Sequence, residues 1–223
     1  MNLVYNTVNT SIKGLTRILC DVEDSQLTKI PNEGPLIIAC NHINFMEVPL
    51  MYTHLQPRPL TGFAKAETWD NPFMGMLFDL WGAIPIERGE ADTVAFRKGF
   101  QALDEGKILV ITPEGTRSES GQLGRGLPGI VVMARHKNTP ILPMVYYGSE
   151  KFKENIKGLK KTDFTIRVGK LFRLIYPEKK INQELRRKMV DEIMYQLAFL
   201  LPEEYRGYYA DFSKFSTEFI DFA

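Results

Sequence analysis

The chain has 223 residues, with 28 Lys+Arg against 27 Asp+Glu and a formal net charge of +1. That balance argues against a protein that tracks nucleic-acid phosphates, which carries a clear cationic excess. Hydrophobic residues make up 44% and charged residues 25%, which suits one globular domain with a sizeable core and not a disordered chain.

At the start, Val4, Val8, Ile12, Leu15 and Leu19 recur at spacings of four and three, predicting an amphipathic helix within residues 1–22. Asn6, Thr10, Lys13 and Arg17 fall on its other side. Such a helix either lies on a lipid surface or packs on the core of the domain that fills 23–223. Short apolar runs then alternate with helical spacings. Strands are expected at 34–40, 59–65, 83–87, 107–112, 140–147 and 164–168, and helices at 47–55, 73–81, 92–105, 130–136 and 181–201. The stretch 151–161 reads as a lysine-rich loop, solvated or resting on an anionic surface. This alternation predicts a single α/β domain whose mostly parallel or mixed central sheet is flanked by helices, with the amphipathic helix in front.

No stretch reaches the ~20 consecutive apolar residues of a bilayer-spanning helix. The greasiest one, 71–86, is broken by Asp79, glycines and a proline. Residues 1–14 lack a charged leader followed by an apolar run, so no secretory signal is expected. The two cysteines, Cys20 and Cys40, have neither number nor spacing for a disulfide scaffold or a metal site, and a reducing cytoplasm suits them.

Two segments stand directly after buried strands, where open α/β sheets place ligands. Asn41, His42 and Glu47 follow the first. A histidine held by a carboxylate can take a proton from a hydroxyl near neutral pH. Thr112-Pro113-Glu114-Gly115-Thr116-Arg117-Ser118 follows the other, with hydroxyls, a glycine and a guanidinium fork that suit an anion cradle or a polar turn. Between them Lys65 and Arg88 each close a short apolar run.

In this order, NHINFMEVP, GAIPIERG, TPEGTRS and ILPMVYYG (residues 141–148) resemble the four blocks of the glycerolipid acyltransferase superfamily, of which lysophosphatidate acyltransferase is the bacterial type. The resemblance spans about 34–147 and implies a glycerol-3-phosphate acyltransferase-like fold. It further implies transfer of a fatty acyl group from acyl-CoA or acyl-carrier protein to a lysophospholipid-like acceptor, most simply 1-acylglycerol 3-phosphate, on the inner face of the cell membrane. His42 would be the base and Glu47 its orienting carboxylate. Asn41, Lys65, Arg88, Arg117 and Arg125 would line the substrate site, the cations holding phosphate. Gly115 and Thr116 would offer backbone donors, Glu114 would hold a cation or an acceptor hydroxyl, and Pro143 would centre the fourth block. Neither a metal, a resident cofactor nor a covalent enzyme intermediate is implied. One residue departs from the pattern: Glu47 stands where the family carries Asp, one methylene longer, enough to move the contact by about a bond length.

Two other classes compete. A thioesterase would put water in place of the acceptor, and a lipid-binding module would keep the pocket without the chemistry. Other signals are weaker. Gly124, Gly126 and Gly129 satisfy G-x-G-x-x-G, but polar, turn-like residues precede them where a dinucleotide fingerprint needs a strand. Cys40 points the same way as His42 on an extended strand, poorly placed for a nucleophile–base pair. His42, His54 and His136 lack zinc spacing. The apolar run 73–81 suits an acyl groove, lipid contact or core, and the aromatic tail 205–222 suits core, dimer or lipid contact.

Overall fold

The computed structural model describes residues 3–55, 57–87, 92–118, 120–178 and 180–222. Helix α1 (Leu3–Leu19) leads into β1 (Cys20–Glu23), then β2 (Leu36–Cys40), α2 (Glu47–His54), β3 (Leu60–Lys65), α3 (Pro72–Leu80) and β4 (Ile84–Ile86). There follow α4 (Thr93–Asp104), β5 (Ile108–Ile111), α5 (Gly129–Arg135), β6 (Ile141–Tyr147), α6 (Phe152–Lys157), β7 (Thr162–Val168), β8 (Phe172–Leu174), α7 (Gln183–Leu200) and β9 (Ile220–Phe222). Local chemistry fixes several boundaries. Asn71, Asp92 and Asn182 cap α3, α4 and α7 by accepting N–H bonds from their first turns. Gly106, at φ +73°, ends the turn after α4 in the left-handed region that glycine enters at little cost.

The strands form one mixed sheet in the order β1-β7-β6-β2-β5-β3-β4, with β8 beside β6 and β9 beside β8. Its centre is parallel: β2 pairs with β5 and β6, and β3 with β5 and β4. Alternate residues of β2 feed two cores. Ile37 and Ala39 pack with residues of α4, α5 and α7, while Leu36, Ile38 and Cys40 pack with residues of α2, α3 and α6. Both faces are thus covered, as the unbroken apolar strands require.

Three expectations need correction. The boundary at residue 22 would cut β1, which pairs with β7 from Cys20 onward, so the helix ends earlier and runs straight into the sheet. Helix α1 buries only part of its apolar stripe, with Ile12 and Leu19 packed against the core. Asn9 and Thr16 are buried, with Tyr5 and Ile12 packed beside them, whereas Val4 and Leu15 are exposed together with Leu3 and Ile18. The reason is a specific polar contact: the Trp81 indole N–H donates to Asn9 Oδ1 at 2.8 Å. Finally, the lysine-rich stretch holds the short helix α6, anchored by buried Phe152. The aromatic tail runs through 3-10 turns, with Tyr209 and Phe219 buried in the core.

Candidate active site

Parallel pairing brings the motifs together. Because β2, β5, β3 and β4 all run the same way, their carboxyl ends deliver Asn41, Thr112, Lys65 and Glu87 to one sheet edge. In register, Ala39 faces Ile111 and Lys65 faces Ile86. The segments that meet are far apart in the chain yet adjacent across strands.

His42 leaves the end of β2 and is held from three directions. Its ring Nδ1 lies 3.1 Å from Glu47 Oε2. Its backbone N–H donates to Glu114 Oε1 at 3.1 Å, and its carbonyl accepts the Ser118 N–H at 2.8 Å. The Glu47 side chain is 1% exposed and that of His42 14%. The other oxygen of Glu47 accepts the N–H groups of Ile43 (2.9 Å) and Asn44 (2.8 Å), where a carboxylate in the first turn of α2 also meets the positive end of the helix. The additional methylene, relative to aspartate, is accommodated by this fold-back. An ionised carboxylate only accepts, so the imidazole tautomer that pairs with Glu47 is the one with its proton on Nδ1 and a lone pair on Nε2.

The cleft beside His42 has a volume of about 110 Å³ and is lined by Asn41, Glu47, Lys65, Thr112 and Arg117 among others. A larger cavity of about 450 Å³ shares Phe63, Lys65 and Thr112 with it and reaches Glu114, Gly115 and Thr116. Its walls are mainly apolar: Phe63, Ile86, Phe96, Ile111, Leu127 and Met133. Exposed Lys65 also pairs with Glu67 at 2.9 Å. Arg117 is exposed and has no ion-pair partner among the described residues.

Several expected roles change with the geometry. Asn41 lines the cleft, but its amide is spent on a reciprocal pair with the Tyr146 backbone, donating to O at 2.8 Å and accepting from N–H at 2.9 Å. It extends the β2–β6 ladder and leaves little for a substrate. Glu114 pairs with no cation among the described residues: it is buried and bridges two backbone donors, His42 N–H and, at 2.7 Å, Gly124 N–H. Burial pushes its carboxyl up to about 6, while the Gly124 and His42 N–H bonds pull the other way. The Gly115 N–H closes a turn on the Thr112 carbonyl at 3.0 Å, so it is no free oxyanion donor. Gly115 itself is required by φ +70°, and by Leu127, whose Cδ1 would lie 2.5 Å from a Cβ there.

Pro143 sits in the sheet interior, where Gly169 passes so closely that a Cβ on it would come within 2.7 Å of the proline ring. It lines neither cavity. The fourth block instead reaches the site through Tyr146, and Ser149, just beyond the block, through the Asn44 amide. Arg125 lies outside the cleft, over the Tyr208 ring and beside the start of α7. Arg88 lies outside the described residues. Cys40 is fully buried and its thiol is pushed well up by burial, which removes it as a nucleophile. The glycine run at 124–129 follows a loop, not a strand. Among the described residues no group of His, Cys, Asp and Glu is arranged to hold a metal.

A histidine held by a buried carboxylate, at the carboxyl edge of a parallel sheet and next to an apolar cavity, is an arrangement able to activate a hydroxyl or water. The chain belongs to the Acyltransferase family, whose model matches residues 21–147. It is similar to the 1-acyl-sn-glycerol-3-phosphate acyltransferase of Bacillus subtilis (strain 168), 26% identical over 155 residues that span 69% of this chain and 76% of that protein. The protein of the same description from Borreliella burgdorferi is 30% identical over 125 residues, 55% of this chain and half of that one. The crystal structure of the 1-acyl-sn-glycerophosphate (LPA) acyltransferase PlsC from Thermotoga maritima shares the fold, with a TM-score of 0.63 and 20% identity, over 88% of this chain and 79% of that one.

Proposed function

We propose that this acyltransferase moves a fatty acyl group from a thioester, acyl-CoA or acyl-carrier protein, to the free hydroxyl of 1-acyl-sn-glycerol 3-phosphate. The observation that carries this reading is the His42–Glu47 pair facing a cleft with the exposed Arg117 guanidinium on one side and an apolar cavity on the other. His42 Nε2 takes the acceptor hydroxyl proton as the oxygen attacks the thioester carbonyl. Glu47 offsets the imidazolium charge. Collapse of the tetrahedral intermediate breaks the carbon–sulfur bond, and the departing thiolate receives the proton from His42, leaving ester, thiol and neutral imidazole. Arg117, with Lys65 and Arg88, holds the acceptor phosphate through charge-assisted hydrogen bonds. The apolar cavity takes a fatty chain. No resident cofactor is invoked, since the thioester is a co-substrate.

The same reading places the protein on the cytoplasmic surface of the membrane. No helix among the described residues is long and apolar enough to cross a bilayer. Exposed Leu3, Val4, Leu15 and Ile18 on α1, with Phe73 and Met76 on α3, are side chains that suit a lipid boundary. Sedimentation with anionic liposomes tests this, and a protein that stays in the supernatant overturns it.

The transfer is tested by thiol release from palmitoyl-CoA with and without lysophosphatidate, alongside His42→Ala and mass-spectrometric detection of phosphatidate. Acceptor-dependent release with diacyl product, lost in the variant, supports the assignment. Acceptor-independent release means a thioesterase. Full lipid function in His42→Ala means a binding module.

A further inference from the structure

The family model ends at residue 147, yet the chain beyond it reaches back to the loop that holds His42. That loop joins β5 to α5, and both backbone polar groups of Leu123 are taken by the tail. Its N–H donates to the Tyr205 carbonyl and its carbonyl accepts the Tyr208 N–H, each at 2.9 Å. Gly207, at φ +47°, passes so close that a Cβ would lie 2.4 Å from the Leu123 carbonyl oxygen. Gly126 is held equally closely. Its N–H donates to the Tyr209 hydroxyl at 3.2 Å, its carbonyl accepts from Arg187 at 2.7 Å, and a Cβ there would meet Met194 at 2.6 Å. Tyr209 in turn donates to Asp191 at 2.7 Å, and Arg187 makes two bonds to the same carboxylate.

Between these two clamped residues lies Gly124, whose N–H is aimed at Glu114 Oε2. Glu114 uses its other oxygen on the His42 N–H. A continuous path of hydrogen bonds therefore runs from Tyr209 and Arg187 through the 123–126 backbone and Glu114 to the backbone of His42. We infer that Tyr209 and Arg187, on the C-terminal part of the chain, are positioning residues for His42, acting through the Gly124–Glu114 bond.

The argument rests on His42 being the base. It also explains why a buried carboxylate stands where a phosphate acceptor is expected: with two N–H donors Glu114 is a fastener, and with one it loses much of what keeps it ionised. The titratable groups around it are His42, Glu47 and Cys40. Loosening the Gly124 N–H favours the protonated carboxyl, which holds the His42 N–H more weakly.

The test is Tyr209→Phe in the full chain, with Tyr195→Phe as the control. Tyr195 spends its hydroxyl on the Asp211 carbonyl and does not touch the 123–126 backbone. Tyr209→Phe lowers kcat about tenfold, the scale of a reacting group misplaced by a fraction of an ångström. The KM for lysophosphatidate stays unchanged and the acid limb of the kcat profile moves to higher pH. Tyr195→Phe lowers Tm without either change. Arg187→Gln, whose half-buried side chain loses its bonds to Asp191 and Gly126, repeats the kcat effect, and Arg187→Lys restores part of it, with Tm measured beside each. On a Glu114→Gln background, Tyr209→Phe adds nothing further to kcat. Equal Tm losses in the two tyrosine variants with unchanged kcat and pH profile overturn the inference, as does full additivity with Glu114→Gln. Retained transfer in His42→Ala overturns the underlying assignment instead, independently of the tail.

Discussion

Glu47 serves His42 and its own helix at once: Oε2 lies 3.1 Å from His42 Nδ1, while Oε1 takes the N–H groups of Ile43 and Asn44. Glu47→Gln separates the two duties. The amide oxygen still accepts the backbone bonds, but its NH₂ donates to Nδ1 and forces the proton onto Nε2, where the base must be free. Turnover falls by about 10²-fold or more with little loss of Tm. Steady-state kinetics beside thermal unfolding checks this, and unchanged turnover in a folded variant removes Glu47 from the mechanism.

Arg117 faces the cleft without an ion-pair partner among the described residues. Replacing it with Ala raises the KM for lysophosphatidate by tenfold or more, the equivalent of about 1.5–3 kcal/mol for hydrogen bonds to a charged group. Lysine restores only part of this, because an ammonium does not reproduce the planar fork. Stability stays constant, since the side chain is exposed. A KM that does not move places the phosphate elsewhere.

Leu127, 53% exposed, stands at the mouth of the 450 Å³ cavity. Leu127→Trp narrows the entrance with a stability change within about 0.5 kcal/mol. Transfer from long-chain thioesters declines more than from short-chain ones. Competition between palmitoyl and hexanoyl donors measures the ratio, and an unaltered ratio dissociates the cavity from the acyl chain.

Two buried groups set opposing pH trends. Burial lowers His54 to about 4, so below its ordinary value of 6.5 the unfolded chain binds the extra proton and stability is lost as pH falls toward 4. Burial raises Glu114 to about 6, so between 4.5 and 6 the folded chain binds the extra proton and stability is lost as pH rises. The two slopes offset one another between pH 4.5 and 6. His54→Leu therefore gains stability as pH falls through that window, and Glu114→Gln loses it more steeply than the parent chain. Tm against pH for the three proteins decides, and parallel curves refute the assignment.

Much of this architecture is readable from residue spacing. The apolar runs after Gly34 and Gly106 become β2 and β5, and the helical spacings at 92–105 and 181–201 become α4 and α7. The His42–Glu47 pair is legible because both members follow closely on one strand end, Cys40. What escapes notice depends on distant partners. Strand β1, with the sequence CDVE, alternates over only four residues directly behind a helix, too short a run to announce a strand, and exists because β7 pairs with it. The buried face of α1 follows from Asn9 meeting the Trp81 indole, a contact across 72 positions that periodicity cannot register. The role of Glu114 is hidden for the same reason: its charge suggests a cation, whereas its partners are backbone N–H groups supplied by two loops.

The pairing of β1 with β7 also sets a timetable. Cys20 meets Thr162, about 140 residues later in the chain. At typical synthesis rates the first strand waits roughly 7 to 30 s for its partner to leave the ribosome. Throughout that interval α1 precedes an unpaired strand, and the long closing loop makes this edge a slow contact to form. A nascent chain released before β7 emerges carries both His42 and Arg117 but leaves the Cys20–Glu23 edge unpaired, so synthesis of the motifs and completion of the fold are separate events.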